Sequence, residues 1–255
     1  MTKPTDQRFL ARPRIFLAGP IAEPDQPSAG GFEAANRRTI NALRRWGADV
    51  VELPYILPGT FPARGFKKWQ RYWKRFLELR RGVRTYASGA VFHVTPLYKH
   101  FLMWELPLVQ AAHRQKLRVI VDIRAGQADI YFRMFGPVYR MFFRRLIACA
   151  DAVAVEGERY LDFVRGLRPD VPAYYLPNFL PDADIPDTAP RREPGPIRFA
   201  YVGSVNEAKG LLHATQLVAA LAAGGAAVRF DIFGKAAPAV AEQLQTIAAG
   251  ADWFV

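Results

Sequence analysis

Four short stretches of this chain carry residues able to do chemistry. Gly30-Gly31 stands directly before a run of helical periodicity. Adjacent glycines let the backbone approach a ligand, and the free N–H groups of a helix start favour an anion. A second loop, Gly203-Ser204-Val205-Asn206-Glu207-Ala208-Lys209-Gly210, joins an apolar run to a helical one. Lys209 at that helix start would set an ammonium beside unpaired N–H groups, which suits a diphosphate. Neither loop has the G-x-G-x-x-G or P-loop spacing, so a dinucleotide cofactor is not expected, and a plain solvated loop remains the alternative for each. Asp122, at the end of an apolar run, and Asp129 beyond it can contact a hydroxyl or cap the following turn. His93, His113 and His213 show no metal-ligand spacing, and His100 lies in a Tyr-Lys-His-Phe loop; no metal site is expected.

The fourth stretch, Arg64–Arg84 (RGFKKWQRYWKRFLELRRGVR), carries nine Lys and Arg against one Glu. Trp69, Tyr72, Trp73 and Phe76 recur at helical spacing, giving an aromatic face opposite a basic one. Such a helix lies on an anionic membrane, or packs its aromatics on a sheet, or stacks and pairs with nucleic acid. Lys67, Lys68, Trp69, Arg71, Trp73 and Lys74 are the membrane-facing candidates; a nucleic-acid partner is not expected. Charge supports an anionic partner for this half. Residues 1–150 hold 26 Lys and Arg against 10 Asp and Glu, whereas residues 151–255 hold 9 against 13.

The elements that must position these groups alternate between strand and helix. Arg14–Gly19 reads as a buried strand, Phe32–Trp46 as a helix with Arg37, Arg38, Arg44 and Arg45 outward, and Asp49–Tyr55 as a second strand. Further strands are expected over Ser88–Thr95, Leu117–Ile123 and Ala152–Val155. Helices are expected around Leu102–Gln115, over Phe135–Ala148 and over Tyr160–Gly166. The five prolines within Pro181–Pro196 mark a linker. Strand Ile197–Gly203, helix Gly210–Ala223, strand Val228–Phe233 and a helix near Pro238–Ala249 then begin a new cycle. The expected fold class is α/β: two Rossmann-like, doubly wound parallel-sheet domains, over residues 1–180 and 197–255, with a linker at 181–196. Cys149 cannot form an internal disulfide and reads as a small buried apolar residue. With no signal peptide apparent, a cytoplasmic setting is expected.

Ile197–Gly203, Asn206-Glu207-Ala208-Lys209-Gly210 and Val228–Gly234 together resemble the opening of the nucleotide-sugar domain of glycosyltransferase family 4. There a strand ending in Val-Gly is followed by Glu-Lys-Gly, a helix and a second strand. Gly30-Gly31, the strand ending at Asp122, and Tyr175-Leu176-Pro177-Asn178 resemble that family's N-terminal domain. The resemblance spans most of residues 14–255. It implies a B-type two-domain glycosyltransferase with the donor clamped in the cleft, and retaining, metal-independent transfer of a sugar from a nucleotide-sugar to a saccharide or lipid-linked acceptor. Polysaccharide biosynthesis at the inner membrane face fits that activity. By this resemblance Gly30, Gly31, Ser204 and Lys209 hold the donor phosphates, Ser204 standing where the family usually has an arginine. Asp122, Arg124 and Asn178 are the acceptor or cleft candidates, and the catalytic residue is unassigned. The resemblance also implies that the chain holds only the first part of the nucleotide-binding domain. A non-catalytic α/β binding module is the alternative function.

Overall fold

The computed structural model describes residues 12–23, 31–55, 66–124, 126–188, 194–203, 205, 209–234, 236, 238–248 and 251–254. Gly30, Ser204 and the Asn206-Glu207-Ala208 stretch lie outside the described residues, as does the side chain of Lys68. The chain divides into two compact units, Met1–Ile185 and Pro186–Val255.

In the first unit, β1 (Arg14–Gly19), α1 (Gly31–Arg45) and β2 (Asp49–Pro54) form the opening βαβ turn of the chain. There follow α2 (Phe66–Val83), β3 (Val91–Val94), α3 (Leu102–Arg114), β4 (Arg118–Ile123), α4 (Ala128–Met134), α5 (Gly136–Ala148), β5 (Ala152–Val155), α6 (Arg159–Leu167) and β6 (Ala173–Tyr175). The six strands form one parallel sheet in the order β2-β1-β3-β4-β5-β6, flanked by helices, as in a Rossmann-like fold. The order reverses between β1 and β3, so the crevice where such sheets take ligands opens at the carboxyl ends of those two strands.

Alternation along the strands divides the core. Phe16, Ala18, Phe92, Val94, Val119, Val121, Val153 and Val155 join residues of α2, α3, α5 and α6 in a large apolar cluster. Ile15, Leu17 and Val50 point the other way and meet Ile40 of α1 in a smaller one. Thus α1 covers one face while four helices, α2, α3, α5 and α6, contribute to the other.

Several details depart from the sequence reading. β3 starts at Val91 and not Ser88, because Gly89 takes a left-handed turn (φ +85°) just before it. The aromatic helix expected over Phe135–Ala148 forms as α5, and a further helix that the sequence reading did not give, α4, precedes it; Gly136, with φ +78°, divides the two. Arg37 does not face outward. Its guanidinium lies part-buried, donating to both carboxylate oxygens of Glu52 on β2 (2.7 and 2.8 Å) and to the Ala22 carbonyl.

In the second unit, β7 (Ile197–Val202) pairs in parallel with β8 (Val228–Phe233). α7 (Leu211–Ala223) and α8 (Pro238–Ile247) complete its core with Val205, Leu211, Val218, Phe230, Val240 and Leu244. Phe199, Tyr201 and Ile232 face that core, while Val202 and Phe233 are exposed. The Phe230 N–H donates to the Trp253 carbonyl (2.6 Å), so parallel pairing continues onto Trp253-Phe254 beside β8.

Among the described residues no helix is long and apolar enough to cross a membrane.

Candidate functional site

The carboxyl edge of the first sheet gathers polar side chains that the strands carry there and α1 covers. Asn36 and Thr39 come from α1, His93 and Thr95 from β3 and its end, and Asp122 and Arg124 from β4 and its end. All six are buried. The Thr95 hydroxyl donates to Asn36 Oδ1 (3.0 Å), and Asn36 Nδ2 donates to the Pro20 carbonyl (2.8 Å), tying the end of β3 to the loop after β1. Arg124 Nε donates to Asp122 Oδ2 (2.8 Å) and its Nη2 to Thr39 Oγ1 (3.1 Å). His93 Nε2 donates to the same Asp122 oxygen at 3.0 Å. Asp122 Oδ1 has no partner among the described residues.

These contacts settle the charge of Asp122. Burial by itself pushes the carboxyl up. The hydrogen bond and charge of His93, with the guanidinium of Arg124, outweigh it and hold the group below its ordinary range. Asp122 is therefore an anion that fixes Arg124 beneath α1, and it touches those partners rather than solvent.

Further along the same edge, Glu156 follows β5 and is only partly buried. Asn178 Nδ2 donates to its Oε1 at 2.6 Å. Burial raises the Glu156 carboxyl, and the charge of Asp122 adds to that, against the opposing pull of Arg124 and Asn178. A raised, reachable carboxyl beside an exposed amide can accept a hydrogen bond or proton from a hydroxyl.

A third buried acid organises the loop after β3. Glu105 on α3 is fully buried and accepts the backbone N–H groups of Leu97 (2.6 Å) and Tyr98 (3.4 Å). Burial pushes its carboxyl up to about 8. The two N–H bonds staple a turn in which Tyr98 and Lys99 both adopt left-handed backbone (φ 59° and 51°), unfavourable for residues with a Cβ.

The second unit builds its edge from backbone. At the ends of β7 and β8, a Cβ on Gly234 would lie 1.7 Å from the Gly203 carbonyl oxygen, so only glycine fits there. Gly210 caps α7 with left-handed backbone (φ 70°) and provides no side-chain cap for the first helical N–H groups. Lys209 lies exposed just before it. No protein-family model and no curated protein matches the chain.

The structure thus brings Asp122 and Arg124 together and places Asn178 near them through Glu156. Gly31 opens α1 above the switch point, and Lys209 opens α7 in the other unit. Among the described residues no group of three or more His, Cys, Asp or Glu is arranged to hold a metal ion. Sequence reasoning passed over Asn36, Thr39, Thr95, Glu105 and Glu156, and weighed His93 only as a metal ligand. Two signals were present: polar residues at the end of the apolar run Val91–Thr95, and a lone Glu within the apolar run Leu102–Val109.

On α2 the aromatic face divides. Phe76 is buried and Tyr72 part-buried against Phe101 and Trp104, whereas Trp69 and Trp73 are exposed, with Lys67, Arg71 and Lys74 exposed beside them. Packing on a neighbouring helix and presentation to solvent therefore coexist on one element.

Proposed function

We propose that this chain is a glycosyltransferase of the B-type two-domain kind, which moves a sugar from a nucleotide-sugar donor to a saccharide or lipid-linked acceptor. The observation that carries this reading is the edge of the second unit. A strand ending at Val202 runs into Gly203, glycine backbones meet at Gly203 and Gly234, and Lys209-Gly210 opens a helix whose N-cap residue has no side chain to cap it. That combination of close backbone, the N–H groups of a helix start and one ammonium suits a diphosphate. Its role in catalysis is to stabilise the charge that develops on the leaving nucleoside diphosphate. The resemblance of these same residues to family 4 adds support.

In this reading the first unit serves the acceptor. Asn178 and Glu156 at the rim receive an acceptor hydroxyl, while Asp122 and Arg124 hold the floor beneath them. Exposed Trp69, Trp73, Lys67 and Lys74 rest α2 on an anionic membrane surface, which suits a lipid-linked acceptor.

Calorimetry of the full chain with a nucleoside diphosphate tests the donor assignment. Replacing Lys209 with Ala should weaken binding about tenfold or more, the worth of one hydrogen bond to a charged group. Equal affinity in the two proteins would refute the assignment of Lys209. Sugar transfer to a water-soluble saccharide, followed by acceptor-dependent release of nucleoside diphosphate and by product mass, tests the reaction itself.

A further inference from the structure

The layer of helices that carries α2 also holds an apolar groove of about 470 Å³. Lys99, His100, Leu102 and Met103 line one side, and Phe135, Val138, Tyr139 and Phe142 the other. Its apolar walls are open to solvent: Met103 is 51% exposed and Val138 63%. On α5 the apolar positions Val138, Met141 and Phe142 follow helical spacing, and Met141 is exposed too.

We propose that this groove is an insertion point for the headgroup and upper acyl region of an anionic bilayer, which makes it a second membrane contact beside α2. The proposal rests on the membrane reading of α2 given above. Three observations favour this occupant. First, the groove is continuous with α2, because the His100 ring lies 4.9 Å from the exposed Trp69 ring. Tryptophan edges and apolar side chains at one level are how proteins seat at the headgroup boundary.

Second, the surrounding charge is predominantly positive. α5 contains Arg140, Arg144 and Arg145 and no acidic residue, and all three arginines are exposed. α2 contains seven Lys and Arg against one Glu. A second copy of this chain would place like charges opposite one another across a two-fold interface, which is unfavourable, whereas phosphodiester headgroups complement them.

Third, the groove wall contains a cation, Lys99, whose backbone and ammonium both have partners. Lys99 sits on the left-handed turn that buried Glu105 staples, and its ammonium lies 4.9 Å from the centre of the Tyr131 ring. A lysine in the wall of an apolar groove matches a lipid phosphate, and the apolar walls match the upper acyl chain.

The test uses the full chain with vesicles of phosphatidylcholine, with and without phosphatidylglycerol. A polarity-sensitive fluorophore is placed by Val138→Cys in a Cys149→Ala background. Its emission should shift to the blue with phosphatidylglycerol-containing vesicles and stay water-like with phosphatidylcholine alone. Val138→Glu with Met141→Glu should lower the vesicle partition constant about tenfold or more, because it removes the apolar contribution. What binding remains should depend on salt no more steeply than wild type, because the two substitutions remove apolar area and add negative charge.

A thermal melt matching wild type confirms that the double variant folds; if it does not, the fluorophore readout decides. A label that stays water-like while the protein is vesicle-bound would overturn the groove, as would unchanged partition of a folded double variant. So would a wild-type dimer that the double variant splits without any vesicle binding. Lys67→Glu with Lys74→Glu separates the two contacts. In the fraction of that variant still bound to vesicles, a blue-shifted label supports the groove as a second contact, and a water-like label refutes it. Transfer to a soluble acceptor needs no bilayer and judges the catalytic reading independently.

Discussion

The two parallel sheets of this protein present carboxyl edges built in opposite ways. On the first, the charged groups are buried and spent on one another: Asp122 on Arg124 and His93, Arg124 on Thr39, Glu105 on the backbone of Leu97 and Tyr98. On the second, glycine backbone lies at the surface and Lys209 is exposed. Groups that satisfy one another hold a shape, and groups left in water are available to a ligand. The comparison therefore divides stability from binding along the chain. Substitutions among the buried groups of the first edge should act on folding, and substitutions at the second on ligand.

The largest effect is expected at Arg124. Changing it to Met leaves the Asp122 carboxylate buried without its guanidinium, which costs about 3–5 kcal/mol. Asp122→Asn in the same protein should recover part of that. The pH dependence has a definite sign. The Asp122 carboxyl is lowered in the folded chain, so its contribution is present above the ordinary 3.8 and is lost as pH falls through the depressed value. Urea titrations at pH 7 and pH 3 measure both effects. A variant as stable as wild type at pH 7 would mean that the first edge is no more structural than the second.

Glu105 acts in the opposite sense. Its folded carboxyl sits at about 8 against an ordinary 4.5. Between those values the folded chain keeps a proton that the unfolded chain releases, so stability falls as pH rises through that window. For a fully buried group the loss is on the order of a few kcal/mol. Glu105→Gln should remove this slope and gain on wild type between pH 5 and pH 8.5. Parallel pH profiles for the two proteins would show that Glu105 does not titrate in the fold.

A smaller loss should follow from Gly19→Ala. The added Cβ would meet Asn36 Nδ2 at 3.0 Å and the Thr95 Cβ at 3.1 Å, at the point where the strand order reverses. Adjusting that contact costs about 1–3 kcal/mol, to be read from the unfolding midpoint. The smallest change in stability belongs to Lys209→Ala, within about 0.5 kcal/mol, because the side chain is exposed. A melt showing a larger loss at Lys209 than at Gly19 would reverse the comparison.

Much of the architecture was legible in the residues. Arg14–Gly19, Ala152–Val155 and Val228–Phe233 read directly as strands, because short apolar runs bounded by turn residues have few other solutions in an α/β chain. The candidate site was only half legible. Glycine loops and a lysine at a helix start announce themselves by local pattern, as does Asp122 at a strand end. His93 and Glu105 did not, because a polar residue inside an apolar run looks the same in sequence whether it faces solvent or a buried partner.

Sequence alone determined the alternation of strand and helix, the excess of cations in the first 150 residues and the amphipathic pattern of α2. Each depends on residues near one another along the chain, through propensity, periodicity or simple charge. Only the tertiary structure decided that Arg124 reaches Thr39 across 85 positions, that Thr95 reaches Asn36 across 59, and that Trp69 meets His100 at the edge of a groove. Parallel strands make this unavoidable. Each crossover returns the chain to the same edge after a helix, so the partners at that edge are set by strand order and register and by no local pattern.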